Sequence, residues 1–173
     1  MMVKEVFNRI LVPFDDSPHA QKALDYAIRI AKSADASLHV LTVLDISYLG
    51  LTKDVSQRFS PYYEEAPPVS DVTERYRIAY SDKFEDIKHE DTYKEFLKVA
   101  DHAKKICKKK DIEATAVILM GNVAETIVAF SEDNGIDLIV MGSRGFSGFR
   151  RLLMGHVSSD VAEKAHCPVL IIR

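Results

Sequence analysis

Gly142, Gly145 and Gly155, with two and nine residues between them and Ser158 and Ser159 just beyond, are the residues best placed to do chemistry, and that chemistry is anion binding. A backbone amide with no Cβ over it can approach a phosphate oxygen, and the first turn of a helix adds unpaired N–H groups carrying partial positive charge. Arg144, Arg150 and Arg151 add positive charge in the same segment. The spacing excludes the two commonest nucleotide fingerprints: no GxxxxGK runs into Ser or Thr, and no GxGxxG follows the first apolar run. Ser147, Ser158 and Ser159 lie in no GxSxG elbow, so a serine nucleophile is not expected. The histidines show neither HExxH nor a paired spacing with the cysteines, which favours solvated or packed imidazoles over a metal site.

Such a segment works only if a strand delivers it and a helix receives it. Asp137-Leu138-Ile139-Val140-Met141 is an apolar run that ends at Gly142, and Gly155 opens a last helix expected to present Val157, Val161, Ala162 and Ala165 on one side. Pro168-Val169-Leu170-Ile171-Ile172 then reads as a closing strand. At the other end, Arg9-Ile10-Leu11-Val12-Pro13 predicts a buried strand stopped by proline, which has no ladder donor. Ser17 caps the next helix, Pro18 takes its first position, and Ala20, Ala23, Leu24, Ala27, Ile28 and Ala31 recur on one face. Residues 37–44 predict a second strand and 114–120 a third. Between them, 92–110 predicts a helix with Phe96, Val99, Ala100, Ala103, Ile106 and Cys107 on one side. A further helix through Ala124, Ile127, Val128 and Ser131 precedes the strand before Gly142.

Five continuous apolar strands alternating with helices predict a parallel sheet covered on both faces, with right-handed crossovers. From about 46 to 91 the pattern weakens around Pro61, Pro67 and Pro68. That stretch reads as an insertion or long connection within one domain spanning 1–173.

The glycine pattern near the C-terminus resembles the ATP-binding segment of the universal stress protein family. The resemblance extends to Ile10-Leu11-Val12-Pro13-Phe14-Asp15-Asp16-Ser17, to the strand end from Val40 to Asp45, to Gly121-Asn122-Val123-Ala124-Glu125-Thr126-Ile127 and to Cys167-Pro168-Val169-Leu170-Ile171-Ile172, in order. It implies an adenine nucleotide alpha hydrolase-like α/β fold with strand order 3-2-1-4-5 and helices on both faces. ATP, or AMP or ADP, would lie across the C-terminal strand ends at the switch between strands 1 and 4, with Mg2+ or Mn2+ as its metal. Pro13, Phe14 and Asp15 match the turn after strand 1, whose acidic residue contacts the nucleoside. Asp15 also suits a helix cap. Val43 matches the strand 2 position whose backbone meets adenine, and Met141 and Gly142 match the ribose-side wall. Gly145, Gly155, Val157 and Ser158 match positions around the phosphates, and Arg144 adds positive charge beside them. His156 stands where ATP-binding members carry Ser or Thr: its imidazole could pair with a phosphate when protonated, or narrow the site by packing inward.

The net charge of −3, with 23 Lys plus Arg against 26 Asp plus Glu, gives no long-range attraction to nucleic acid or anionic membrane, so any anion site must be local. Lysines clustered near the end of the 92–110 helix are expected on dipole grounds alone. Cys107 and Cys167 lie far apart and read as reduced, structural thiols. No apolar run approaches the roughly 20 residues that span a bilayer, and residues 1–9 carry no signal-peptide apolar region, so a cytoplasmic address is expected. The expected function is that of a nucleotide-binding regulator acting on a protein partner the sequence does not identify. Slow ATP hydrolysis, or a scaffold role without nucleotide, stand as alternatives. The closing strand at 169–172 lies at a sheet edge, where pairing with a second copy is expected to form a homodimer.

Overall fold

Ile10, Leu11 and Val12 are fully buried in β1 (Arg9–Pro13), in a computed structural model that describes residues 7–45, 90–145 and 154–173. Both faces of the run are covered, which is why it reads as continuous hydrophobe and not as an alternating strand. Ser17 then caps α1 (Pro18–Ala34), its Oγ accepting the Ala20 amide at 3.3 Å, while Pro18 occupies the first turn, where no intrahelical donor is needed. Asp35 ends the helix in the left-handed region at φ 52° and sends its amide back to the Ala31 carbonyl. β2 spans Ser37–Asp45. The insertion expected at about 46–91 lies almost wholly outside the described residues.

The remaining elements are α2 (Glu90–Lys109), β3 (Ala114–Gly121), α3 (Val123–Asp133), β4 (Leu138–Gly142), α4 (His156–Lys164) and β5 (Val169–Ile172). Asn122 caps α3 by accepting the Glu125 amide at 3.1 Å. The five strands form one parallel sheet in the order β3-β2-β1-β4-β5, as the family resemblance implied. Because successive side chains of a strand point to opposite faces, β1 sends Ile10 and Val12 into one core and Leu11 into the other. The first core joins α1 and α2 to the sheet through Ala23, Leu24, Ala27, Ala103 and Cys107. The second joins α3 and α4 through Ile127, Phe130 and Val161. Both cysteines are free, and burial pushes the Cys107 thiol up to about 11, which keeps it protonated and unreactive at neutral pH.

One expectation fails on α4. Its buried residues are Ser158 and Val161, with Ala165 half-buried at the C-cap, whereas Val157 and Ala162 are exposed. Ser158, Val161 and Ala165 share a stripe at i, i+3 and i+7. A pattern built from apolar residues passes over it because its first member is a serine whose hydroxyl is satisfied by main-chain carbonyls.

Two features set testable stabilities. A Cβ on Gly142 would lie 2.8 Å from the His19 backbone carbon and 2.9 Å from the Ala20 nitrogen, so the end of β4 and the first turn of α1 are in direct backbone contact. Gly142→Ala is expected to lower unfolding free energy by about 1–3 kcal/mol, read as a lower urea midpoint at unchanged slope. His39 on β2 is half-buried and meets the Phe130 ring edge-on at 6.5 Å. Burial first, and the Arg9 charge second, hold its imidazole below the ordinary value of 6.5. The unfolded chain therefore takes up a proton before the folded one does, and stability is lost as pH falls from about 6.5 through the folded value. The melting temperature of His39→Leu is expected to fall less than that of the unsubstituted chain between pH 7 and 5; parallel declines would contradict this.

Candidate functional site

β1 ends early, and the site begins there. Its register with β2 stops at Pro13 opposite Leu41, while on its other side Ile10 and Leu11 pair with Leu138 and Ile139 of β4. The chain leaves β1 toward β2 and returns on the opposite side to β4, which opens a crevice beyond the carboxyl ends of the strands. The Phe14 amide donates to the Leu41 carbonyl at 2.8 Å, and Thr42 Oγ1 donates to the Phe14 carbonyl at 3.0 Å. Main-chain groups alternate sides along a strand, so the next residue of β2 to face β1 is Val43, beyond the end of the register. Its main chain opens on the crevice.

Asp15 follows in the exposed turn, where its Oδ1 accepts the Ser17 amide at 3.0 Å. Ser17 is the cap of α1, so the capping role open to Asp15 on sequence grounds belongs to Ser17. A Cβ on Gly145 would stand 2.6 Å from Asp15 Oδ2, so these two residues, from opposite ends of the chain, are neighbours.

Ser143 organises the other wall. It is 1% exposed, its amide donates to the Ile172 carbonyl at 2.7 Å, and its carbonyl accepts the Gly155 amide at 2.8 Å. Ser158 Oγ lies 3.0 Å from that same carbonyl and 3.0 Å from the Gly155 carbonyl, to which its single proton is donated alternately. A Cβ on Gly155 would come within 3.3 Å of the Ser143 oxygen, so glycine suits this contact. Gly155 is also the N-cap of α4 and offers no side chain to it. The amides of His156, Val157 and Ser158, which a helix leaves unbonded internally, therefore receive no side-chain cap from Gly155 and put the positive end of the helix dipole at the crevice. The Ser159 amide is taken by the Gly155 carbonyl at 3.1 Å. Sequence alone suggested that the Ser158 hydroxyl could face an anion; here it turns to the two carbonyls, and its amide is what remains. The remaining residues of the glycine segment, Arg150 and Arg151 among them, lie outside the described residues.

These walls enclose a cavity of about 530 Å³, within the usual range for a small-molecule site. Pro13, Phe14, Asp15, Val43, Met141 and Gly142 line it, and so do Arg144, Gly145, Gly155, His156, Val157 and Ser158. These are the twelve residues assigned to the nucleotide site from the sequence; Ser159, offered with them as an anion contact, is not among the lining residues. His156 stands exposed and is not packed inward. The missing Cβ of Gly142 makes room for α1 and not for a ligand. Sequence reasoning passed over Thr42, Asp45, Phe96, Val99, Val123 and Ile127, which also line the cavity. Position at a strand end was a signal for the first two. Phe96, Val99 and Ile127 carried only a helical core pattern. Among the described residues no group of three or more His, Cys, Asp or Glu side chains is placed to hold a metal ion, and no helix is long and apolar enough to cross a membrane.

Comparison with known proteins agrees with this architecture. Universal stress protein YxiE of Bacillus subtilis is 32% identical over 169 residues, covering 97% of this chain and 100% of the relative. The solved structure of MJ0577 from Methanocaldococcus jannaschii superposes with a TM-score of 0.70 at 23% identity, covering 96% of each chain. A universal stress protein from Archaeoglobus fulgidus, solved in complex with dAMP, superposes at 0.60 and 19% identity, covering 97% of this chain and 99% of that one. The sequence profile of the Universal stress protein family matches residues 7–173. The chain belongs to the universal stress protein family.

Proposed function

We propose that this protein is an adenine-nucleotide-binding regulator that takes ATP, or AMP or ADP, into the crevice between β1 and β4. The observation that carries the reading is the convergence of the strand-end turn, the β2 main chain and the uncapped amino end of α4 on one cavity of about 530 Å³. The dAMP complex of the Archaeoglobus fulgidus relative supports the same ligand class. The residues fit the group. Asp15 would accept from nucleoside hydroxyls, and the Val43 main chain would meet the edge of the base. The amides of His156, Val157 and Ser158, with Arg144 beside them, would hold phosphate oxygens. Gly145 keeps the space beside Asp15 clear of a side chain. Bound phosphates supply the charge that Mg2+ or Mn2+ would share.

Ligand held at the amino end of α4 and at Gly145 would fix both ends of the glycine segment, altering the surface offered to a protein partner. A homodimer through β5 belongs to the same proposal: Leu170 is 38% exposed on this edge strand, and pairing with a second copy would cover it.

His156 is the residue on which phosphate binding turns. Calorimetry of ATP against the unsubstituted chain and His156→Ser is expected to show binding by both, with affinities within about tenfold, the worth of one hydrogen bond to a charged group. Binding by His156→Ser alone would contradict the reading. Single-turnover assays with and without Mg2+ are expected to return intact ATP; magnesium-dependent release of phosphate would make the protein an ATPase.

A further inference from the structure

Phe96 and Val99 lie one turn apart on α2 and line the cavity from the helix layer that α2 shares with α1. Val123 and Ile127, one turn apart on α3, line it from the opposite layer. Between these two apolar walls runs the end of β2, where the main chain of Val43 opens on the crevice. A slot with apolar sides and a main-chain donor and acceptor at its floor fits a planar heteroaromatic ring: the faces meet the walls, and the edge meets the amide and carbonyl. Phe96 supplies an aromatic face on the α2 side.

The placement of that wall is tied to the turn that carries Asp15. His102, one turn beyond Val99, sets its Nδ1 2.8 Å from Asp16 Oδ1. The same oxygen accepts Gln21 Nε2 of α1 at 3.0 Å. Asp16 sits in the left-handed region at φ 66°, directly after Asp15. One carboxylate therefore joins α2, α1 and the strand-end turn, adding a contact beside the crevice to the buried packing of α2 through Ala100, Ala103 and Cys107.

Resting on the nucleotide reading above, we propose that Phe96, backed by Val99, is the base-selecting wall of the site: it stacks on the ring and makes the site prefer a purine over a pyrimidine nucleotide. His102 is the positioning residue that holds it there. A purine presents more ring surface to Phe96, so loss of the phenyl group costs it more than it costs a pyrimidine.

Equilibrium binding of ATP and of UTP to the full chain tests this in the unsubstituted protein, Phe96→Ala, Phe96→Leu, His102→Ala and His102→Gln, with far-UV circular dichroism to confirm folding. The unsubstituted chain is expected to prefer ATP. Phe96→Ala weakens ATP by about tenfold or more, the usual scale for loss of an aromatic stacking partner, and weakens UTP less, so the preference contracts. Phe96→Leu, which keeps apolar bulk without a ring, falls between and carries the test if the alanine variant does not fold. His102→Ala contracts the preference in the same sense, and His102→Gln, which keeps an N–H donor toward Asp16, restores it. Equal losses for both nucleotides, or no loss for ATP, would overturn the assignment, as would a folded unsubstituted chain that binds ATP and UTP alike. An unsubstituted chain that binds neither overturns the nucleotide reading itself.

Discussion

The carbonyl of Ser143 is the acceptor on which the site depends. It takes the Gly155 amide and is in reach of the Ser158 hydroxyl, while the Ser143 amide is held by the last strand at Ile172. A loop leaving a strand ordinarily has no reason to bring a helix back to its own origin, because closing the chain costs entropy and a loop backbone needs partners. Here one buried carbonyl supplies those partners twice. The amino end of α4 is thereby fixed beside the end of β4, facing the turn after β1. Without that contact the three uncapped amides of α4 would face water, and their partial charge would have no defined target.

The rest of the fold supplies the surroundings that make those amides useful. A parallel sheet covered on both faces keeps its strand ends rigid, and the reversal of direction at β1 leaves a gap lined by strand-end residues and by the flanking helices. Gly142 lets α1 pack against the end of β4 with backbone in direct contact. Its charge is local. The chain as a whole carries a net charge of −3, so in the proposed reading an anion would be drawn not by the protein's overall field but by amides, one helix end and Arg144.

Much of this was legible in the sequence, and the limits follow from chemistry. The strands could be read because residues buried on both faces must be apolar without a break, as in Ile10, Leu11 and Val12. The start of α1 could be read because Ser17 and Pro18 each solve a specific problem of a helix end. What escaped is what side-chain polarity conceals. Ser158 looks like a surface residue and is buried, because its hydroxyl is bonded to main-chain oxygens that no pattern of residue types announces. Gly142 reads as a phosphate glycine and is a packing glycine, since the partner that needs its space arrives from residues 19–20. Phe96 and Val99 read as core because a helix face turned to a cavity has the same periodicity as one turned to a sheet. Long-range neighbours decide each of these cases.

In the proposed reading the amino end of α4, pinned by Ser143, receives the anionic part of the ligand. Amide hydrogen exchange of the folded chain, measured residue by residue with and without saturating ATP, tests it most directly. The amides of His156, Val157 and Ser158 should exchange quickly in the free protein and become protected when ATP is added, with the Gly155 amide slow in both states. Protection confined to other parts of the chain, with these three amides unchanged at saturation, would contradict it.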